Sequence, residues 1–306
     1  MKAQTIYGAA EPSHARAELL VESAPLMYEW SRSECARKST GGMEEWAKTE
    51  RSSASDALAC DWYHGTWQLL RLLNMVAVPP WYSFYRSGLT QALAAKPEPR
   101  VLISACADYG MLATLHEAII ESKASPKIVV VDICETPLRA CRWYAERFGL
   151  KIECHRDNLL TSSALREGSF DVVVTDEFLT VIKNSDKPII AQRWRQLLAP
   201  GGVLVTTAMI GGATTPVLRE QYAEKARRAW EENQALAGKL RLDVAELVEC
   251  CRRFAGFHNR FMISNEAEMK GILQGFDFTL TPIVTPGECV NPTSSYQIVA
   301  RAAGNA

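Results

Sequence analysis

The sequence predicts an α/β protein built around a mainly parallel sheet. Three observations carry this prediction: short β-branched runs recur from residue 101 onward, amphipathic segments separate them, and small or acidic residues follow each run. Strands that alternate with helices form a parallel sheet with helices on both faces. Two further strands near the end of the chain flank a turn-rich segment, which favours an antiparallel arrangement there.

The apolar runs define seven predicted strands. These cover residues 101–104, 128–131, 152–155, 170–175, 203–207, 276–284 and 294–302. Between the first five strands, helices are predicted at residues 111–121, 137–148 and 187–198. The run Pro200-Gly201-Gly202 is predicted to form a turn before the fifth strand.

Helical sequence lies on both sides of the first five strands. Residues 1–96 are predicted to form a helical N-terminal lid, with helices at 15–31, 43–57, 61–76 and 81–95. Pro79 and Pro80 interrupt this region because proline removes a donor and restricts its neighbour. Residues 97–306 are predicted to form the sheet domain, with a helical insertion at about 212–273 before the last two strands.

The composition limits the classes of partner. Of the 306 residues 47% are hydrophobic and the net charge is −1, so no basic excess is present to neutralise nucleic-acid phosphates. The nine cysteines include no Cys-x-x-Cys pair, so no metal site is expected, and nine free thiols suit a reducing compartment. The N-terminal sequence has no apolar signal core, and no run reaches the ~20 apolar residues of a membrane span. We expect a cytoplasmic protein, monomeric or homodimeric, without a nucleic-acid or membrane partner.

The residues that follow the strands form the candidate site, because ligands of open parallel sheets bind beyond the carboxyl ends of the strands. The first strand is followed by the small residues of 105–110 and then by a helix N-terminus, which attracts anions. Asp132 ends the second strand and has acceptor oxygens for a ribose diol. Asp157 and Asn158 follow the third strand, where the alternative role is turn formation. Asp176 and Glu177 follow the fourth.

Four ordered motifs, VLISACADYG, VVVDICETPLRAC, FDVVVTDEFL and LAPGGVLVTT, resemble those of class I S-adenosylmethionine (SAM)-dependent methyltransferases over about residues 100–210. The resemblance implies a Rossmann-like fold and SAM as cofactor. It implies a loop for the methionine part of SAM, an acid for its ribose, polar groups for its adenine, and a fourth-strand end that faces the methyl donor. With aromatic residues of the lid, the implied cofactor-binding residues are Ser104, Ala105, Cys106, Ala107, Gly110, Asp132, Ile133, Asp157, Asn158, Asp176, Phe178, Tyr63 and Tyr82.

The first motif departs from the family pattern. Ile103 stands where the family has an acid, and Tyr109 stands where it has a small residue. Asp108 is a candidate for the missing carboxylate. A dinucleotide site is the competing interpretation of the fold, but the sequence has no Gly-x-Gly-x-x-Gly motif.

The segment 61–86 concentrates aromatic residues before the sheet. Some are expected to pack between helices, and others to form a lid over the SAM sulfonium, because a cation is attracted to aromatic faces. Tyr85 and His64 are expected to reach the cleft. With Asp176 they are the candidate catalytic residues, and Glu177 and His258 are further candidates for a base.

Three functions follow from this interpretation. The first is methyl transfer from SAM to a small metabolite, such as one of secondary metabolism, in a closed aromatic-lidded pocket. The second is cyclisation of SAM itself to azetidine-2-carboxylate and methylthioadenosine, which needs a neutral amine and is consistent with the missing acid at Ile103. The third is an inactive scaffold subunit of the same fold.

Overall fold

The computed structural model describes residues 17–40, 59–73, 75–76, 79–211, 215–232, 243–258, 261–284 and 294–302. The helix predicted at 43–57 lies outside these residues. None of the described helices is both long enough and apolar enough to cross a membrane.

The sheet has seven strands in the order β3-β2-β1-β4-β5-β7-β6. Strands β1 to β5 are parallel to one another, and β7 runs antiparallel to both β5 and β6, so the prediction of a mainly parallel seven-stranded sheet is confirmed. The strands are β1 Arg100–Ser104, β2 Lys127–Asp132, β3 Ile152–Arg156, β4 Phe170–Val174, β5 Leu198–Ile210, β6 Phe276–Val284 and β7 Ser294–Ala302. The strand order reverses between β1 and β4, which places the ligand-binding crevice there.

The helices agree with the predicted alternation. They are α1 Ala17–Thr40, α2 Ala59–Leu72, α3 Pro79–Ala94, α4 Gly110–Ser122, α5 Glu135–Phe148, α6 Lys187–Leu197, α7 Pro216–Glu232, α8 Val244–His258 and α9 Glu266–Ile272. Pro79 and Pro80 begin α3, where the missing N–H groups would have no partner in the helix. The first helix extends well past residue 31, where its predicted end lay.

The predicted turn at 200–202 is instead part of β5. Phe170 pairs with Leu198 and Val172 pairs with Val203, so the register shifts between them and the extra residues form a bulge. Gly201 has φ +77, and a Cβ on Gly202 would lie 2.9 Å from a backbone oxygen of Ala199. The two glycines therefore allow the strand to bulge and to continue its ladder.

Two apolar layers cover the sheet. Ile103, Val130 and Val174 point into one layer with α3, α4 and α5, whereas the neighbouring residues Leu102 and Val173 point into the other with α6 and α9. This alternation follows from the period of two along a strand. The buried core fixes where each strand ends.

A third apolar cluster joins helices from both ends of the sequence. Leu69 and Leu70 of α2 pack with Trp230 of α7 and with Leu247 and Phe254 of α8. We call α1, α2, α7 and α8 together the cap. Sequence before the sheet and sequence inserted after β5 therefore share one core.

The insertion returns to the sheet at the carboxyl end of β5. Ile263 N donates to Met209 O over 2.9 Å, and Gly211 N donates to Ile263 O over 2.9 Å. Lys187, whose side chain is 0% exposed, donates through Nζ to Phe261 O over 2.5 Å. Burial lowers the pKa of Lys187, and this lysine anchors the returning segment beside α6.

Candidate functional site

The loop after β1 turns sharply at Ala105. Ala105 has φ +62, a conformation that non-glycine residues adopt at a cost, and its N–H donates to Val131 O over 2.8 Å. Residues 105–107 are partly exposed and residues 108–110 are buried. The exposed half of the loop therefore lines the crevice between β1 and β4. The Ser104 hydroxyl points into the core and accepts a hydrogen bond from Trp194 over 2.8 Å.

Asp132 is held rigidly at the end of β2. Its Oδ2 accepts from Cys106 N over 2.9 Å, and its Oδ1 accepts from Cys134 N over 2.7 Å. Burial raises the pKa of this carboxyl group, while His64 and the two N–H groups oppose the rise. A carboxylate oxygen has more than one acceptor site, so the acid retains capacity for hydroxyl donors. Ile133, the next residue, is 40% exposed.

Cys134 departs from the expectation of nine free thiols. It is disulfide-bonded to a residue outside the described part of the chain. Among the described residues, the single cluster of three candidate metal ligands is His64, Asp132 and Cys134, whose ligand atoms lie within 4.8 Å of one another. A sulfur in a disulfide is not a thiolate, so the cluster has no thiolate to offer to a metal ion.

Asp157 and Asn158 lie beside Asp132 after β3. Asp157 N donates to Asp132 O over 3.0 Å, and Oδ1 of Asp157 accepts from Asn158 N over 2.8 Å. Oδ1 of Asn158 accepts from Leu160 N over 3.1 Å, and Ser162 donates to Oδ2 of Asp157. Both side chains thus shape the turn, and both stay partly exposed at the crevice.

A hydroxyl pair fixes Asp176 at the end of β4. Its Oδ1 lies 2.9 Å from the Tyr85 hydroxyl and accepts from Thr207 over 3.0 Å. The Tyr85 hydroxyl also lies 2.9 Å from Thr175 O and from Thr207 Oγ1. Asp176 is exposed, whereas Tyr85 is buried. Nearby protein still removes enough water to raise the pKa of Asp176, and the two hydroxyls limit the rise.

Glu177 takes a different direction from its neighbour. It is buried, has φ +49, and its Oε1 accepts from Ser295 of β7 over 3.1 Å. Phe178 is half-buried, with its ring centroid 6.1 Å from that of Trp194. Of the two adjacent acids, the structure therefore exposes Asp176 alone.

Tyr109 does not obstruct the loop. It is 0% exposed, stacks on Tyr144 of α5 with ring centroids 5.2 Å apart, and lies under the Arg71 guanidinium at 5.3 Å. The large side chain therefore points away from the crevice, which explains how the atypical motif still forms the loop.

Asp108 is engaged by the cap. Its Oδ1 accepts from Gly110 N over 2.6 Å, and its Oδ2 contacts both Gln68 and Arg71 of α2. Arg71 and Asp108 are both buried, and the neighbouring carboxylate raises the pKa of Arg71 against the effect of burial. A Cβ on Gly110 would lie 2.8 Å from Asp108 Oδ1, so glycine is needed there.

The cap brings Tyr63 and His64 to the strand ends. His64 Nδ1 donates to Ala107 O over 2.8 Å, so the Nδ1–H tautomer is present when the ring is neutral. Tyr63 stacks on Phe254 with centroids 5.4 Å apart, and burial followed by Asp176 and Asp132 raises its pKa. Tyr82 is partly exposed and lies near enough to Arg71 to influence it. The side chain of His258 lies outside the described part.

Several residues of this site escaped the sequence interpretation. Thr207 was only one residue of the LVTT run, and Glu34 had no signal at all, although it accepts from Glu135 N and Thr136 N over 2.8 Å each at the start of α5. Arg71 offered a partial signal, because it shares a helix face with His64 and Trp67.

Comparison with known proteins follows from this geometry. Residues 103–202 match the family model described as a methyltransferase domain. No curated protein matches the chain.

Three solved structures illustrate the fold. A Rhodobacter sphaeroides protein provisionally described as a Zn-dependent alcohol dehydrogenase has 12% identity and a TM-score of 0.50, over 79% of this chain and 98% of that one. The N-methyltransferase NodS from Bradyrhizobium japonicum, in complex with S-adenosyl-L-homocysteine, has 12% identity and a TM-score of 0.45, over 90% and 99%. A SAM-dependent methyltransferase from Methanosarcina mazei has 16% identity and a TM-score of 0.42, over 67% and 93%.

The family match covers β1 to β5, and the complete sheet has the seven-stranded order with one antiparallel strand. The chain therefore belongs to the class I superfamily of methyltransferases, whose methyl donor is S-adenosylmethionine.

Proposed function

We propose that this protein transfers the methyl group of SAM to a small molecule in a pocket closed by the cap. The observation that carries the proposal is the position of Tyr63, a cap residue subject to the charges of Asp176 and Asp132 at two different strand ends. An aromatic ring in that position can meet the sulfonium, and cation–aromatic contacts strengthen where water is excluded.

The proposed roles follow the strand ends. Residues 105–107 and the N-terminus of α4 hold the methionine part of SAM, Asp132 binds the ribose, and Asp157 with Asn158 lies at the adenine. Asp176 accepts a proton from the acceptor through Oδ2, because Oδ1 is already bonded to Thr207 and lies beside Tyr85. In this scheme Tyr85 positions the carboxylate, and His64 supports the loop through Ala107 O.

The reaction itself needs few groups. The acceptor attacks the methyl carbon along the line of the carbon–sulfur bond, which breaks and leaves S-adenosylhomocysteine. The protein aligns the two reactants, excludes water and takes one proton.

Cyclisation of SAM is a second candidate, favoured by a specific observation. Ile103 is fully buried and Asp108 is paired with Arg71, so neither provides a free carboxylate for the SAM ammonium group. A neutral amine is easier to maintain without such a carboxylate. The amine would then displace methylthioadenosine at the γ-carbon and release a proton.

Product analysis tests these proposals. The purified protein is incubated with SAM alone and with SAM plus a metabolite extract. Methyl transfer predicts S-adenosylhomocysteine only when the extract is present. Methylthioadenosine with azetidine-2-carboxylate from SAM alone would instead establish cyclisation, and no SAM binding by calorimetry would leave a scaffold role.

A further inference from the structure

Arg219, near the start of α7, has a buried donor without an acceptor. Its Nε is inaccessible to solvent and has no hydrogen-bond partner. The described part of the chain contains no ion pair to its guanidinium, whereas Arg228 of the same helix lies 3.2 Å from Glu224. Buried donors in proteins nearly always have a partner, so this one needs an explanation.

The guanidinium is also held in place. A Cβ on Gly256 of α8 would lie 3.1 Å from Cζ of Arg219 and 3.2 Å from Nε and Nη1. The group therefore lies flat against a stretch of helix that has no side chain. Such a placement fixes the donors of the guanidinium, which lowers the entropy cost of binding an anion.

The position of Arg219 places it at the wall of the crevice. Helix α7 begins shortly after β5 ends at Ile210, and the segment after α8 returns to β5 at Ile263. Both ends of this hairpin thus meet the sheet near its carboxyl edge. One turn beyond Arg219, Tyr222 stacks on Phe254, with centroids 6.1 Å apart, and Phe254 stacks on Tyr63.

We propose that Arg219 binds an anionic group, a carboxylate or a phosphate, of the methyl acceptor. This inference rests on the proposed methyl transfer and adds a substrate class to it. Carboxylate and phosphate match the fork of guanidinium donors. Asp132 and Asp176 at the strand ends would repel such a group, so an acceptor with an acid group needs a cation placed away from them.

The carboxylate of SAM is the other source of the same chemistry. Its methionine half is assigned to the loop after β1, and β4 lies between β1 and β5 in the sheet. Arg219 is on the β5 side. The geometry therefore favours the acceptor, and the experiment separates the two sources.

The test uses the full-length protein with S-adenosylhomocysteine bound. Arg219→Gln and the control Arg228→Gln are compared by calorimetry with S-adenosylhomocysteine and with methylthioadenosine, which lacks the amino acid. We expect each variant to bind both compounds with less than about a twofold change, because a change of tenfold corresponds to loss of a charged hydrogen bond. Weaker binding of S-adenosylhomocysteine alone in Arg219→Gln would overturn the proposal and assign Arg219 to the cofactor.

The anion site is then probed directly. The Nε–H resonance of Arg219, assigned by its loss in Arg219→Gln, is followed by NMR during titration with acetate and with inorganic phosphate. We expect a saturable shift for Arg219 and none for Arg228. Equal responses from the two arginines would also overturn the proposal.

Neither measurement depends on turnover. If the metabolite assay yields no methylated product while Arg219 still binds the anions, the methyl-transfer proposal fails and the anion site stands. If methyl transfer is found and Arg219 does not respond to either anion, the inference about Arg219 fails alone.

Discussion

The hydroxyl of Tyr85 lies 2.9 Å from Oδ1 of Asp176, and Thr207 donates to the same oxygen over 3.0 Å. Two hydroxyls from α3 and β5 therefore fix one oxygen of an exposed carboxylate at the end of β4. This arrangement leads to the first prediction.

Thr207→Val and Tyr85→Phe are each expected to lower kcat with little change in SAM affinity. Loss of a hydrogen bond to a charged group costs about 1.5–3 kcal/mol, which corresponds to roughly a 10- to 100-fold effect. These bonds stabilise the charged carboxylate, so their loss raises the pKa of Asp176 further. The acidic limb of the pH–rate profile should therefore move to higher pH. Thr207→Ser is the control and should retain the wild-type profile; an unshifted limb in Thr207→Val would contradict the prediction.

Asp132→Ala is expected to weaken SAM binding by roughly 10- to 100-fold, because hydroxyl bonds to a carboxylate contribute about 1.5–3 kcal/mol each. Calorimetry with SAM measures the change, and Asp277→Ala on β6 is the exposed control. Burial raises the pKa of Asp132, so wild-type affinity should fall with decreasing pH sooner than for an ordinary aspartate. Unchanged affinity in the variant would mean that the ribose lies elsewhere.

Arg71→Met is expected to destabilise the protein by about 3–5 kcal/mol, because it leaves the Asp108 carboxylate buried without its cation. The double variant Arg71→Met/Asp108→Asn should recover a large part of this loss. Urea unfolding at neutral pH provides the free energies of unfolding. A double variant as unstable as the single one would show that the two side chains are not coupled.

Glu34→Ala is expected to destabilise the protein by about 2 kcal/mol, because the backbone N–H groups at the start of α5 lose their acceptor. SAM binding should weaken as well, since this turn directly follows Asp132. Thermal unfolding and calorimetry test both effects. Glu29→Ala, an exposed change in the same helix, should leave both values unchanged, and Glu34→Gln should fall between the two.

The β-branched runs predicted the sheet well, because hydrophobic alternation and strand-end chemistry are local properties of a sequence. Residues 276–284 and 294–302 matched their strands in full. The predicted turn at Gly201 failed since a bulge uses the same residues, and only pairing with β4 distinguishes the two structures.

The side-chain partners required the tertiary fold. Thr207 and Tyr85 are far apart in the sequence, and Tyr109 resembled an obstruction until its contact with Tyr144 showed where it points. Asp108 appeared available for the cofactor, whereas an arginine from a distant helix is its partner. Distances between such groups follow from packing and cannot be derived from periodicity.

The ring contact between Tyr63 and Phe254 has a consequence for access. Tyr63 belongs to sequence before the sheet, and Phe254 belongs to a hairpin whose two ends are both secured at β5. Any opening of the cap at this seam must pull this stacked pair of rings apart, while every hydrogen bond of the sheet stays intact. The entrance to the crevice at this seam thus has a latch made of two side chains, and its strength can be changed without altering the floor beneath it.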